Sequence, residues 1–473
     1  MNLYSRLSQG FPQDRDQPCF LLGDGAEISY RDLELGAARA ASLIQTKGVK
    51  AGDRVLVRAP KTSDVVMIYL GALMAGAVFV PLNIAYTEAE IEYFQSDAEP
   101  ALFIRDPSAF AAEAAGARPL DQAVARAPDD IAAMIYTSGT TGRPKGAMLT
   151  HAGLAANAEA LTKLWAFRRD DVLLHALPIF HVHGLFVALH CALLAGCPML
   201  WLPRFEVGEV IAGLARSTVM MGVPTFYTRL LAEPGFTREC AAHMRLFISG
   251  SAPMLESTFE EFEARTGQRI LERYGMSEAA IITSNPTDGE RRAGSVGYPV
   301  PGFEVRLAGP APAMIEIRGP SLFKGYWRMP EKTAEEFTAD GFFQTGDIGR
   351  QDPDGRLYIS GRAKDLIISG GYNVYPKEVE LVLDELPGVE ESAVIGLPHP
   401  DFGEAVVAVV VGQATEERLI SQAREKLAAY KAPKRVFLVD ELPRNAMGKV
   451  QKAELRQTYG QTFTVSSQGA AGG

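Results

Sequence analysis

Two uncharged apolar runs, Val65 to Leu82 and Gly184 to Leu202, dominate the hydrophobic pattern of the chain. A membrane helix needs about 20 apolar residues, and both runs come near that length. Each breaks in the same way, at Gly-Ala-Leu-Met-Ala-Gly76 in the first and at Cys-Ala-Leu-Leu-Ala-Gly196 in the second. Beyond its glycine, each resumes as a short apolar segment with a proline, Ala77-Val-Phe-Val-Pro81 and Cys197-Pro-Met-Leu-Trp201. The pattern predicts, twice, a helix closed by a C-terminal glycine that feeds a buried strand. Neither run is expected to span a membrane.

Short apolar segments alternate with helix-like stretches through the first 360 or so residues, as layered α/β structure requires. Candidate strands are Arg54–Val57, Val78–Leu82, Ala101–Ile104, Ala133–Thr137, Val172–Ala176, Thr218–Gly222 and Arg245–Ser249. Most should be parallel and covered on both faces. Between Val305 and Arg318, and around Leu357–Ile359, shorter antiparallel strands with turns such as Asp352-Pro-Asp-Gly355 suggest a barrel-like part. After Gly361 the texture changes. Pro376 to Leu386 reads as an acidic helix, Val389–Gly396 and Val406–Val411 as a strand pair, and Glu416 to Leu427 as a second helix. The expected fold class is therefore α/β, with a large N-terminal domain over 1–361 and a small mobile α+β domain over 362–473.

Bulk properties narrow the function without naming it. A chain of 473 residues exceeds one compact core. A net charge of −10 argues against nucleic acid or an anionic membrane surface as partner, so any anion site needs local cations. The four cysteines, Cys19, Cys191, Cys197 and Cys240, have neither metal-site nor disulfide spacing, which fits a reducing cytoplasm. The N-terminal residues lack the apolar region of a signal peptide. Protein partners are not indicated.

The chemistry concentrates in Tyr136-Thr-Ser-Gly-Thr-Thr-Gly-Arg-Pro-Lys-Gly146, directly after an apolar strand. Glycines allow close backbone approach, and N–H groups, hydroxyls and cations suit phosphate oxygens. A P-loop would read G-x-x-x-x-G-K-[ST], and this run does not, which disfavours an ADP-forming ATPase or kinase. Further strings follow in order: Glu272-Arg-Tyr-Gly-Met-Ser-Glu278, Gln344-Thr-Gly-Asp347, Gly361-Arg-Ala-Lys-Asp365, Ser369-Gly-Gly-Tyr-Asn373 and Pro443-Arg-Asn-Ala-Met-Gly-Lys449.

Together these strings resemble the motifs of the adenylate-forming superfamily, which includes acyl-CoA synthetases, peptide-synthetase adenylation domains and firefly luciferase. The resemblance implies ATP, Mg²⁺ and coenzyme A as the small molecules used. It implies that Thr137, Ser138, Gly139, Thr140, Thr141, Gly142 and Lys145 bind the phosphates. Gly250, Ser251, Ala252, Arg273, Tyr274, Gly275, Met276 and Ser277 would line the rest of the nucleotide site, with Tyr274 stacked on the purine. Glu278 and Thr141 would hold the metal. Asp347, assisted by Arg362, would take the ribose hydroxyls. Lys449 would oppose charge at the α-phosphate, a job suited to a mobile cation. Gly370, Gly371 and Tyr372 would line the pantetheine path, and Lys364 sits at the hinge position. Ser277 stands where the family usually has threonine. The segment Ala308 to Met314 is shorter than the usual hairpin there.

Within the superfamily, Leu177-Pro-Ile-Phe-His-Val-His-Gly184, Phe247-Ile-Ser-Gly-Ser-Ala-Pro253 and the arginine pair Arg291-Arg292 are similar to malonyl-CoA synthetases. His181, His183 and Ser251 are the expected pocket residues. Arg291 is the expected partner of a second substrate carboxylate, since such a charge needs a paired cation. Malonate, with methylmalonate beside it, is the substrate this implies. Another short-chain acid, or a carrier protein as acyl acceptor, remains the alternative.

Overall fold

The computed structural model describes residues 1–137, 144–444 and 449–463. They form two compact units. The first comprises Met1–Arg306, Glu316–Phe343 and Asp352–Tyr358, and the second Leu307–Ile315, Gln344–Gln351 and Ile359–Gly473. The expected strands appear nearly where the apolar pattern put them, and both long apolar runs divide as expected. In the first run, helix Ser63–Met74 ends ahead of Gly76, whose φ is +74°, and strand Val78–Leu82 follows. In the second, helix Leu189–Ala195 is capped by Gly196 at φ +70°, and strand Met199–Trp201 follows. No described helix is long and apolar enough to cross a membrane.

The first unit holds two sheets. The smaller orders Leu102–Ile104, Arg54–Arg58, Val78–Leu82, Ile131–Thr137 and Lys145–Thr150. Its first four strands are parallel, and the last two form an antiparallel pair in which Thr137 faces Lys145. In the larger sheet, Pro18–Leu22, Met199–Trp201, Leu173–His175, Val219–Gly222, Leu246–Ser249 and Leu271–Met276 run parallel. Ala280–Ser284, Ser295–Pro299 and residues 357–358 continue it antiparallel. The core beneath is aromatic: Tyr227, Phe236, Phe247, Phe259 and Phe262 meet Leu174, Leu200 and Met220.

In the second unit, Gly403–Gly412 is central. It pairs antiparallel with Val389–His399 and with Ile367–Ser369, and parallel with Arg435–Val439. Both faces of this sheet are covered. Val406, Ala408 and Val410 pack with Val379, Leu383 and Leu419 on one side, and Val407 and Val409 with Leu442 and Leu455 on the other. Double coverage explains why Val406 to Val411 is uniformly apolar instead of alternating. Ile367–Ser369 and Tyr372–Val374 make a hairpin closed by Gly370 and Gly371, at φ +59° and +82°. Only two left-handed residues fit such a tight turn without strain, which is what two glycines supply.

Candidate functional site

The residues at issue gather where the parallel strands of the first unit end. Binding sites of α/β sheets form at the carboxyl ends of strands, where loops leave in different directions. Strand Leu173–His175 delivers His181 and His183, strand Leu246–Ser249 delivers Gly250 to Ala252, and Leu271–Met276 carries Arg273 and Tyr274. His183 opens a π-helical turn, His183–Ala188. Its Nδ1 lies 3.3 Å from the Ser251 Oγ. Ser251 itself is held at φ +72°, a left-handed conformation costly for a residue with a Cβ. Burial, with Arg273 nearby, pushes His183 well below the usual histidine range. The imidazole is thus neutral, able to share a hydrogen bond but not to supply charge.

Arg273 supplies the charge. Its side chain is buried, and its Nε and Nη2 have no hydrogen-bond partner among the described residues. A Cβ added at Gly250 would lie 2.5 Å from its Cζ and 2.6 Å from its Nε and Nη1. Glycine at 250 therefore makes room for the guanidinium against the backbone. Burial lowers this arginine from its usual value to about 9. Buried guanidinium nitrogens without an acceptor are an unfavourable arrangement that a bound carboxylate would relieve. Its neighbour Glu272 points the other way across the strand, where it accepts the Gly294 N–H at 3.3 Å, and burial raises it to about 8. Glu272 is therefore held protonated and does not neutralise Arg273.

Arg291, expected at the distal substrate carboxylate, is used differently. Its Nε donates to the Pro286 carbonyl at 3.2 Å, Nη1 to Arg269 at 2.6 Å, and Nη2 to Thr287 at 2.7 Å. Those three carbonyls fasten a turn with three of the five guanidinium N–H groups, so Arg291 has a structural use in this unit. The motifs assign Arg273 only to the nucleotide, yet it is the buried cation beside His183 and Ser251. One signal was available: Arg273 is a cation inside the apolar strand Ile270-Leu-Glu-Arg-Tyr274, where a charge is costly unless used. Arg245, ahead of strand Leu246–Ser249, pairs with the buried Asp171.

A second cluster in the same unit surrounds Glu278. Gly275 admits a backbone approach that a Cβ would block, 2.1 Å from the Ala280 carbonyl, and the tight turn after Met276 presents Ser277 and Glu278. The buried Glu278 accepts from the Tyr326 hydroxyl at 3.0 Å. Lys145 lies 3.9 Å from the centre of the Tyr326 ring and 3.6 Å from Glu336. Thr137 donates to the Lys145 carbonyl at 3.4 Å. Ser138, Gly139, Thr140, Thr141 and Gly142 lie outside the described residues. Among the described residues, no three His, Cys, Asp or Glu side chains gather to hold a metal. A single carboxylate fits Mg²⁺, which takes one or two carboxylates together with phosphate oxygens and water.

In the second unit, Asp347 is buried and pairs with the Arg362 Nε at 2.8 Å. The Asp347 N–H donates to the Thr345 Oγ1 at 3.0 Å, which fixes the turn that carries it. Lys364 follows in a short 3-10 turn and is exposed, with partial desolvation lowering its pKa. The tips Gly370 and Gly371 are exposed, and Tyr372 stacks on Tyr430 at 4.7 Å between centroids. Lys449 is exposed ahead of Val450, which bridges to Arg444.

Residues 8–327 match the family described as AMP-binding enzyme, and residues 378–449 match the AMP-binding enzyme C-terminal domain. A malonate–CoA ligase from Arabidopsis thaliana is 36% identical, covering 92% of this chain and 85% of its own. A feruloyl-CoA synthase from an Amycolatopsis species is also 36% identical, covering 92% and 95%. The crystal structure of ATP-bound MatB from Rhodopseudomonas palustris is 47% identical, with a TM-score of 0.93, over 98% of this chain and 99% of that one.

Proposed function

This chain belongs to the AMP-binding enzyme family, and from that premise we propose that it is an ATP-dependent malonate–CoA ligase. The class is an AMP-forming acid–thiol ligase. In the first half-reaction a substrate carboxylate oxygen attacks the α-phosphorus of ATP. The bond to the bridging oxygen breaks, and pyrophosphate leaves. In the second, the CoA thiol loses its proton and attacks the acyl carbon, and AMP departs as the thioester forms. Splitting the work gives the carboxylate a leaving group that it lacks by itself.

The observation that carries the choice of acid is Arg273. A monocarboxylate spends its only charge at the reacting phosphorus and leaves nothing for a second buried cation. A dicarboxylate as short as malonate brings the missing anion. His183 and Ser251 lie beside that cation, and we place them, with His181, along the acyl pocket. Methylmalonate adds only a methyl group, so it belongs to the same substrate class.

The remaining roles extend the same reading. We assign Thr137, Lys145 and the 138–142 loop to the phosphates, Tyr274 to the adenine, and Asp347 with Arg362 to the ribose diol, whose hydroxyls a carboxylate can accept. Glu278 and Thr141 would hold Mg²⁺, which when bound offsets charge on the phosphates. Lys449 is assigned to the α-phosphate in the first half-reaction, and Gly370, Gly371 and Tyr372 to the pantetheine arm in the second. With both sets on one small domain, over 362–473, the half-reactions call for its rotation, and Lys364 is the proposed hinge. A reducing cytoplasm is the proposed setting, since Cys19, Cys191, Cys197 and Cys240 are all free.

A carboxylic-acid panel tests the assignment. With ATP and CoA supplied, malonate and methylmalonate should release AMP and pyrophosphate far faster than propionate or ferulate. Preference for ferulate would move the enzyme to the aromatic acid ligases, and release of ADP would remove it from the class.

A further inference from the structure

The segment Phe323 to Trp327 ties together two motifs far apart in sequence. The Phe323 N–H donates to the Glu278 carbonyl at 2.6 Å. Lys324 N–H then donates to Met148, Met148 N–H to Gly325, and Trp327 N–H to Gly146, at 2.8, 3.0 and 2.7 Å. Ala147 and Tyr326 face each other as an antiparallel bridge. The segment thus lies along the strand that leaves the glycine-rich loop, while its first residue grips the turn of Glu278.

Tyr326 sits in the middle and is 4% exposed. Its N–H donates to the Thr333 Oγ1 at 2.9 Å, so the backbone is held on both edges. Two parts of one side chain are in use. The hydroxyl donates to Glu278 Oε1 at 3.0 Å, and the ring face lies 3.9 Å from the Lys145 ammonium. We propose that Tyr326 is a positioning residue that sets both charged groups of the nucleotide site, the Glu278 carboxylate for a divalent cation and the Lys145 ammonium for phosphate. This rests on the ligase reading of the site and goes beyond it.

The physical reasons differ for the two contacts. A phenol hydrogen bond on one oxygen fixes the carboxylate plane, the kind of outer support that metal ligands depend on. An aromatic face attracts an ammonium without neutralising it. It thereby anchors Lys145 beside the Glu278 turn even though the ammonium also pairs with Glu336 at 3.6 Å.

Two substitutions separate the contacts. Tyr326→Phe keeps the ring and removes the hydroxyl, and Tyr326→Leu removes both. Binding of Mn²⁺ in the presence of α,β-methylene-ATP is read from the free-ion electron paramagnetic resonance signal. Nucleotide binding without metal is read by calorimetry. The phenylalanine variant should weaken Mn²⁺ binding about 10-fold while metal-free nucleotide affinity stays within about twofold. The leucine variant should weaken metal-free binding as well, by about 3- to 10-fold. Wild-type Mn²⁺ affinity in the phenylalanine variant overturns the proposal, as does equal loss with and without metal. Should the leucine variant fail to fold, the phenylalanine variant decides. Because these are binding measurements, failure of the ligase reading is seen separately, as wild-type enzyme that forms no AMP with any acid.

Discussion

Arg291 and Arg273 show how differently one residue type is used within a single unit. Arg291 gives one hydrogen bond from each nitrogen to a backbone carbonyl, and Arg273 keeps two nitrogens without acceptors among the described residues. Removing Arg291 should therefore act on stability. Hydrogen bonds from a charged donor contribute about 1.5–3 kcal/mol each in favourable cases, and Arg291 is partly exposed, so Arg291→Ala should cost about 1–3 kcal/mol in urea unfolding. The ratio of malonate to propionate turnover should not move. A selective loss of malonate turnover in this variant would return the substrate carboxylate to Arg291. Sequence motifs assigned Arg291 to the substrate carboxylate and Arg273 to the nucleotide. Ranking the two needs the partners of each nitrogen, and these come from backbone carbonyls whose positions no motif records.

At the scale of elements, much was legible because two-sided burial leaves a plain signature. Val78–Leu82 and Val406–Val411 are apolar throughout, since each strand is covered on both faces. Gly76 and Gly196 mark the helix ends, where a left-handed residue is needed. The π-helical turn His183–Ala188 was not legible, because its apolar residues fit an α-helix equally well. Pro18–Leu22 was missed too, as an isolated apolar strand that pairs with Met199–Trp201 far along the chain. The Gly370–Gly371 hairpin gives a test at this scale. A Cβ at Gly371 meets nothing within 4 Å, so only its φ of +82° opposes substitution. A β-branched residue pays about 1–2 kcal/mol or more there, and asparagine pays less. Gly371→Val should slow thioester formation from supplied acyl-adenylate, with Gly371→Asn close to wild type and adenylation normal in both. Equal slowing of both half-reactions by Gly371→Val would remove this loop from the second step.

Across the whole molecule, burial of neutral histidines sets the response to acid. His151 and His190 are lowered to about 4 and about 3, and His175 and His183 well below the usual range, all chiefly by burial. Each takes up a proton on unfolding below about pH 6.5, so each contributes stability that is lost as pH falls through that value. Glu272, raised to about 8, and Asp384, raised to about 6, act oppositely, because burial keeps them protonated in the folded state. Four groups outweigh two between about pH 5 and 6.5, so stability should rise with pH there by about 2–3 kcal/mol per unit. From about 6.5 to 8 only Glu272 still opposes folding, and stability should level or fall slightly. Chemical denaturation across that range checks the sign. A flat profile from pH 5 to 6.5 would mean that the histidines are not held neutral by burial.

The central claim is that Arg273 is the cation for the distal carboxylate. Its most direct test is kcat/KM for malonate and for propionate in Arg273→Ala, beside wild type. Breaking a buried charge pair costs about 3–5 kcal/mol, so malonate should lose about two to four orders of magnitude. Propionate has no second carboxylate and should hold or improve. An equal fall for both acids would contradict the account, leaving Arg273 a structural residue and the dicarboxylate preference without a physical basis.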